Sequence, residues 1–157
     1  MHQGMMRLDD KNHAAPIGVW DIETGKEIRR FGLPEESIHA AALVDGRRVL
    51  SGGVKLLGDR PHSHDYTIKL WDLETGQLLR RYEGHESTVY GLGVVDAKFI
   101  VSAAADHTLR LWDLDSVVQL ERFDTDTLMD RLTVTKAGRL AIGGDRTGRL
   151  HVMEIVR

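Results

Sequence analysis

The chain repeats itself. Residues 20–31 read WDIETGKEIRRF and residues 71–82 read WDLETGQLLRRY, identical at seven of twelve positions, and a third copy, WDLDSVVQLERF, begins at Trp112. The tryptophans stand at 20, 71 and 112, spaced by 51 and 41 residues. A further step of 41 reaches Met153 in LHVMEI, where Met-Glu replaces Trp-Asp. A fixed period constrains a fold more tightly than composition does, because each unit must be one supersecondary structure that buries its apolar face against its neighbours.

The units read as series of short strands. In the third, YGLGVV (90–95), KFIVSAA (98–104), LRLWDL (109–114) and QLERFD (119–124) are β-favouring runs of strand length, separated by turn formers. The unit before it gives AALVD (41–45), RVLSGG (48–53), IKLWDL (68–73) and QLLRRY (77–82). The last gives LTVT (132–135), RLAIG (139–143) and RLHVMEI (149–155), and PIGVWDI (16–22) stands alone at the front. No stretch sustains a 3.6-residue apolar period, so an all-β fold is predicted. The 51-residue spacing has a local cause. Ser51 and Asp65 are 14 positions apart where Ser102 and Asp106 are four, which predicts an insertion loop over 54–64.

Composition limits the function. With 21 Lys+Arg against 24 Asp+Glu the net charge is −3, which lacks the basic footprint of a nucleic-acid binder and argues against an anionic membrane surface. No run approaches the roughly 18 apolar residues of a membrane span, and the first sixteen residues lack the apolar stretch of a signal peptide. With no cysteine, disulfides and thiolate metal sites are ruled out, and a cytoplasmic protein is expected. P-loop, nucleophile-elbow and zinc-protease motifs are missing, so neither cofactor nor catalytic activity is expected. His62-Ser63-His64-Asp65 has ligand-type side chains at too short a spacing, and Asp124, Asp126 and Asp130 lack the glycine and final glutamate of a calcium loop, so no metal is expected. Arg29-Arg30 and Arg80-Arg81 fall on outer strands, where charge guards an edge against unwanted pairing.

Four strands in about 41 residues, closed by Trp-Asp, resemble the blades of the WD-repeat β-propeller family. GHESTV (84–89), SAAADHTLRLWDL (102–114) and SHDYTIKLWDLETG (63–76) carry the resemblance, which covers residues 17–155 and is similar to the C-terminal part of bacterial WD-repeat proteins. The resemblance implies a buried hydrogen-bonded set of His85, Ser102, Asp106 and Trp112 in the third unit, structural rather than catalytic. The second unit keeps Ser51, Asp65 and Trp71, with Leu33-Pro34 at the Gly-His position. The last has Thr125-Asp126 there and Met153 for the tryptophan.

The domain reading is a flexible tail over 1–15, then a partial propeller over 16–157 with blades at about 27–73, 77–114 and 118–155. Closed propellers have about four to eight blades, so an open arc is predicted, completed by further blades or by self-association. The family binds protein or peptide partners where the first strands begin. On this chain that face maps to Ser37, His39, His64, Thr88, Tyr90, Ala105, Leu128 and Asp130, with Tyr90 the best anchor. The expected function is a protein-interaction scaffold or sensor module. The alternatives are a C-terminal fragment of a larger signalling NTPase-type protein that works only in the full assembly, and a propeller hydrolase.

Overall fold

The computed structural model describes residues 16–57, 64–135 and 139–156. The predicted tail over 1–15 and the middle of the predicted insertion, including His62 and Ser63, lie outside the described residues. Within them the chain forms β1 (Ile17–Trp20), β2 (Glu27–Phe31), β3 (Glu36–Leu43), β4 (Arg48–Leu56), β5 (His64–Asp65), β6 (Ile68–Asp72) and β7 (Leu78–Tyr82). It continues with β8 (Val89–Val95), β9 (Phe99–Ala104), β10 (Thr108–Asp113), β11 (Gln119–Asp124), β12 (Met129–Val134), β13 (Leu140–Asp145) and β14 (Leu150–Glu154). All pairings are antiparallel, in four sheets: β1-β2, then β3-β4-β6-β7 with β5 on β4, then β8-β9-β10-β11, then β12-β13-β14. The fold is all-β, an open arc of four-stranded propeller blades.

The sheets are offset by one strand from the sequence units 27–73, 77–114 and 118–155. Each outer strand pairs with the third strand before it, not with the strands after it. The aspartate of each Trp-Asp pair enforces this. Asp21 accepts the backbone N–H groups of Glu23 and Thr24, Asp72 those of Glu74 and Thr75, and Asp113 those of Asp115 and Ser116, all within 3.0 Å. A carboxylate that takes the amides two and three residues on folds the chain into a tight hairpin. The following strand has nowhere to lie except back along the third. Gly25 and Gly76 close the first two hairpins at φ 67° and 72°, a region easy for glycine.

The predicted insertion loop needs a second correction. β4 runs on through Leu56, and β5 pairs with it at Lys55↔Asp65 and Leu56↔His64, so both ends of 54–64 prolong a hairpin. The main core lies between the second and third blades, where Leu50, Ile68, Leu70, Val89, Ile100, Tyr82 and Trp112 are buried together. The innermost strands β3, β8 and β12 follow one another along the arc. Glycine permits the closest approach: a Cβ on Gly93 would stand 2.2 Å from Val134 Cγ2, and one on Gly91 2.6 Å from Leu132 Cβ.

Candidate functional site

Two groups of side chains invite a functional reading, one buried and one open. The buried group is the polar set of the third blade. His85, on the approach to β8, has Nδ1 2.8 Å from Asp106 and Nε2 2.7 Å from the hydroxyl of Ser102 on β9; Trp112 Nε1, on β10, donates to the same oxygen at 2.8 Å. Asp106 also accepts from the backbone of Glu86 and Thr108 and from the Thr108 hydroxyl.

The protons can be placed from the donors. Trp112 can only donate, so Ser102 Oγ accepts from it and turns its own hydrogen toward His85 Nε2. Nε2 then accepts, and Nδ1–H donates to Asp106, which makes His85 neutral. Burial holds His85 below its ordinary value, outweighing the pull of Asp106. Burial resists ionisation of Asp106 too, but the hydrogen bonds from His85, Glu86 and Thr108 overcome it and keep the carboxyl well below the usual range. A serine, a histidine and an aspartate in this order have the distances of a hydrolytic triad. Here the serine oxygen is fully buried and already engaged by an indole.

The other blades solve the same problem with other residues. In the second, Trp71 Nε1 donates to Ser51 at 2.9 Å, and Glu36 on β3 meets Lys69 Nζ at 2.8 Å in full burial, its second carboxylate oxygen left without a partner. Lys69 also lies 3.3 Å from Asp65. In the last blade Gly143 stands opposite His151, where the third blade pairs Ser102 with Arg110. Asp145 there accepts from Thr127 and pairs with His151, both at 2.8 Å, so Thr127 rather than Thr125-Asp126 takes the histidine's part. The hydrogen bond from His151 is the main reason the Asp145 carboxyl sits far below its usual range. Glu36, Lys69, Thr127 and His151 were not singled out from sequence. A signal existed, since Lys69, Arg110 and His151 each stand two residues before the tryptophan or Met153 of their units.

The open group lies at the rim. His39, Tyr90, Asp130, Arg131 and Arg146 line a cleft of about 290 Å³. His39, Tyr90 and Asp130 come from three different blades, and each is the unmatched residue of a β-bulge near the start of its innermost strand. The register shifts between Ile38 and Ala40, between Val89 and Gly91, and between Met129 and Arg131. A bulge re-aims the extra side chain. The His39 and Tyr90 rings meet edge to face at 5.2 Å, and Arg146 holds Asp130 through both carboxylate oxygens at 3.0 Å.

Of the eight rim residues expected from sequence, these three converge. The other five do not line this cleft. Ser37 pairs with Val54, and His64 stacks on Tyr66 at 5.6 Å. Thr88 and Leu128 accept backbone bonds from Ala105 and Arg146. Arg131 and Arg146 were missed; Arg146 lies in the turn after β13, and Arg131 directly follows a bulge, which residue type does not announce.

Residues 76–113 match the family model for the WD domain, G-beta repeat. Among solved structures, the computationally designed Ika4 protein is similar over 92% of this chain and 82% of that chain, at 28% identity and a TM-score of 0.70. The WD40 beta propeller domain of Doa1 is similar over 85% of this chain and 42% of that chain, at 25% identity and a TM-score of 0.69. No curated protein matches the chain.

Proposed function

From the premise that this chain is built of WD-repeat propeller blades, we propose that it is a protein-interaction scaffold whose partner docks at the cleft of His39, Tyr90, Asp130, Arg131 and Arg146. The observation that carries this reading is the convergence of three bulges, one per blade, on a single cleft. Packing alone does not call for three unmatched residues from three sheets to face one another. Tyr90 and His39 offer contact area with polar edges. Arg131 is exposed and carries no ion pair among the described residues, so it is available to a carboxylate on the partner. The partner is a protein or peptide segment, bound without metal, cofactor, nucleic acid or membrane, in a cytoplasmic setting.

No catalytic role is proposed for the His85 set, despite its triad-like order. A nucleophile needs access to substrate and a free lone pair; Ser102 Oγ is walled in and its hydrogen bonds are taken. The alternative reading is a C-terminal part of a larger signalling NTPase-type protein; the chain spans 42% of the Doa1 domain chain that it resembles. On that reading the cleft belongs to a larger rim.

The test is selection of binding peptides from a displayed random library against the whole chain. Truncating a hot-spot aromatic costs about 2 kcal/mol or more, roughly 30-fold in Kd. Tyr90→Ala and Arg131→Glu are expected to weaken the selected peptides by that order while thermal unfolding stays within about 1 °C. Peptides that bind both variants as well as the parent would place the docking face elsewhere.

A further inference from the structure

The two ends of the arc are complementary. The last sheet stops at its third strand: β14 pairs with β13 on one side, and among the described residues nothing pairs with its other edge. The first sheet has the opposite lack. Among the described residues it holds a third strand, β1, and an outer strand, β2, and no first or second strand behind them.

β1 and β14 are equivalent segments, IGVW and LHVM, each ending where the repeat places its tryptophan. β1 sits on β2 as Ile17↔Phe31, Gly18↔Arg30, Val19↔Arg29 and Trp20↔Glu27, with a bulge before the last pair. The complete second blade shows the same register, from Ile68↔Tyr82 to Trp71↔Leu78, with the same bulge. β2 therefore already presents the edge that β14 lacks, with β1 in the seat.

We propose that two copies of this chain close into a six-bladed ring by exchanging β1 for the partner's β14, so that β2 of each copy becomes the outer strand of the other's last blade. This goes beyond the docking cleft and does not depend on it.

Three observations support this occupant. First, the strands of the described residues fit: β2, the two four-stranded sheets and β12 to β14 make the strands of three whole blades, and two copies of them make six, inside the range that closes. Both junctions are identical, as a two-fold ring demands. Second, β2 is already seated for the task. Outer-strand aromatics pack on the tryptophan of the following blade, Tyr82 on Trp112 at 6.2 Å and Phe31 on Trp71 at 5.7 Å. β2 thus stands against the blade that would follow it in the ring.

Third, β1 buries little of its side chains, and β14 leaves one edge unpaired among the described residues. Trp20 is 40% exposed where Trp71 and Trp112 are 3% and 1%, and among the described residues no serine of a second strand stands beside it. Leu150 and Val152 on β14 are 70% and 59% exposed. A groove of about 1080 Å³ runs between β14, from Leu150 to Val156, and the third blade, which lines it with Leu109, Leu111 and Phe123. An edge strand of this kind is a template for another chain's strand.

The exchange predicts the pairing Val152↔Arg29 between copies, in place of Val19↔Arg29. The chain has no cysteine, so an engineered pair reports alone. Arg29→Cys/Val152→Cys in the full chain, oxidised mildly, is expected to form a disulfide-linked dimer on non-reducing gels. The register control Ile22→Cys/Val152→Cys is expected to link at least tenfold less. Light scattering on the unmodified chain should show twice the monomer mass, and Val19→Pro, which unseats β1 by deleting a ladder donor, should lower the dimer Kd at least tenfold. A monomer at 100 µM, a disulfide within one chain, or a dimer that fails to link Arg29→Cys with Val152→Cys each overturns the exchange. None of these outcomes bears on peptide binding by the cleft, which is read separately.

Discussion

Ser102→Ala separates the complete blade from the incomplete ones. In the third blade Ser102 Oγ serves two partners, accepting the indole N–H of Trp112 and donating to His85 Nε2. Both partners are buried, Trp112 at 1% exposure, and no water can replace the hydroxyl without moving a core strand. Each orphaned buried group costs about 1–3 kcal/mol, so the substitution, which orphans two, should cost about 2–6 kcal/mol. Ser51→Ala removes the corresponding oxygen of the second blade, but only Trp71 bonds to it; Glu36 turns one carboxylate oxygen to Lys69 and leaves the other without a partner. Its cost should be about 1–3 kcal/mol. Urea titration followed by tryptophan fluorescence measures both, provided the slope m stays constant so that midpoint shifts report stability. The ordering matters more than either value. If Ser102→Ala is no worse than Ser51→Ala, the hydrogen-bonded set does not act as a unit, and the proton placement argued for His85 fails with it.

Burial holds His85 below its ordinary value of 6.5 in the folded chain, so the unfolded chain takes up a proton first; stability is full above about pH 6.5 and falls as pH drops through the folded value. Urea midpoints at pH 7.5, 6.0 and 5.0 should fall in that order, with a smaller fall for His85→Asn, and a flat profile to pH 5.0 would count against a neutral buried histidine. Lys69→Met leaves Glu36 buried and unpaired, at about 3–5 kcal/mol, whereas Glu36→Leu/Lys69→Met should recover most of that loss; equal midpoints for the single and double variants would refute the pairing. Val117 stands at φ 59° where the two sister hairpins carry Gly25 and Gly76. Val117→Gly should therefore raise stability by up to about 1 kcal/mol in the same titration, and a loss would mean that the valine packs more than its exposure implies.

The repeat made the fold legible because its chemistry is local. An aspartate that turns the chain, a glycine that follows it and a tryptophan that needs a core recur at fixed spacing, and each acts within its own hairpin. The offset of the sheets was written in the same residues. Asp72 and its turn join Trp71 to the outer strand after it, and a unit drawn from outer strand to tryptophan cuts that hairpin open. The cleft was legible only in part. Tyr90 and His39 advertise themselves by type. Their convergence depends on bulges, which arise from register between strands far apart in sequence. The insertion misled for a similar reason: extra length between two strands says nothing of whether it pairs, and here Lys55 and Leu56 pair with Asp65 and His64.

The three blades share less of the histidine–serine–tryptophan chemistry than their sequences suggest, and more of something else. An aspartate just ahead of the third strand meets a nitrogen-bearing side chain from that strand in every case: Asp65 with Lys69 at 3.3 Å, Asp106 with Arg110 at 3.5 Å, and Asp145 with His151 at 2.8 Å. A threonine two residues after each aspartate donates its backbone N–H to it. This clamp fixes the turn between second and third strands whether or not a tryptophan follows, which explains how the last blade keeps its shape with glycine for the serine and methionine for the tryptophan. Dry tryptophan packing is reserved for the interior of the arc, where a blade lies on both sides. At the two ends it is reduced, Trp20 being half exposed and Met153 replacing the indole. Among the described residues the outermost strands β1 and β14 are each laddered on one side only, to β2 and to β13, so their burial rests on one neighbour where an interior strand has two.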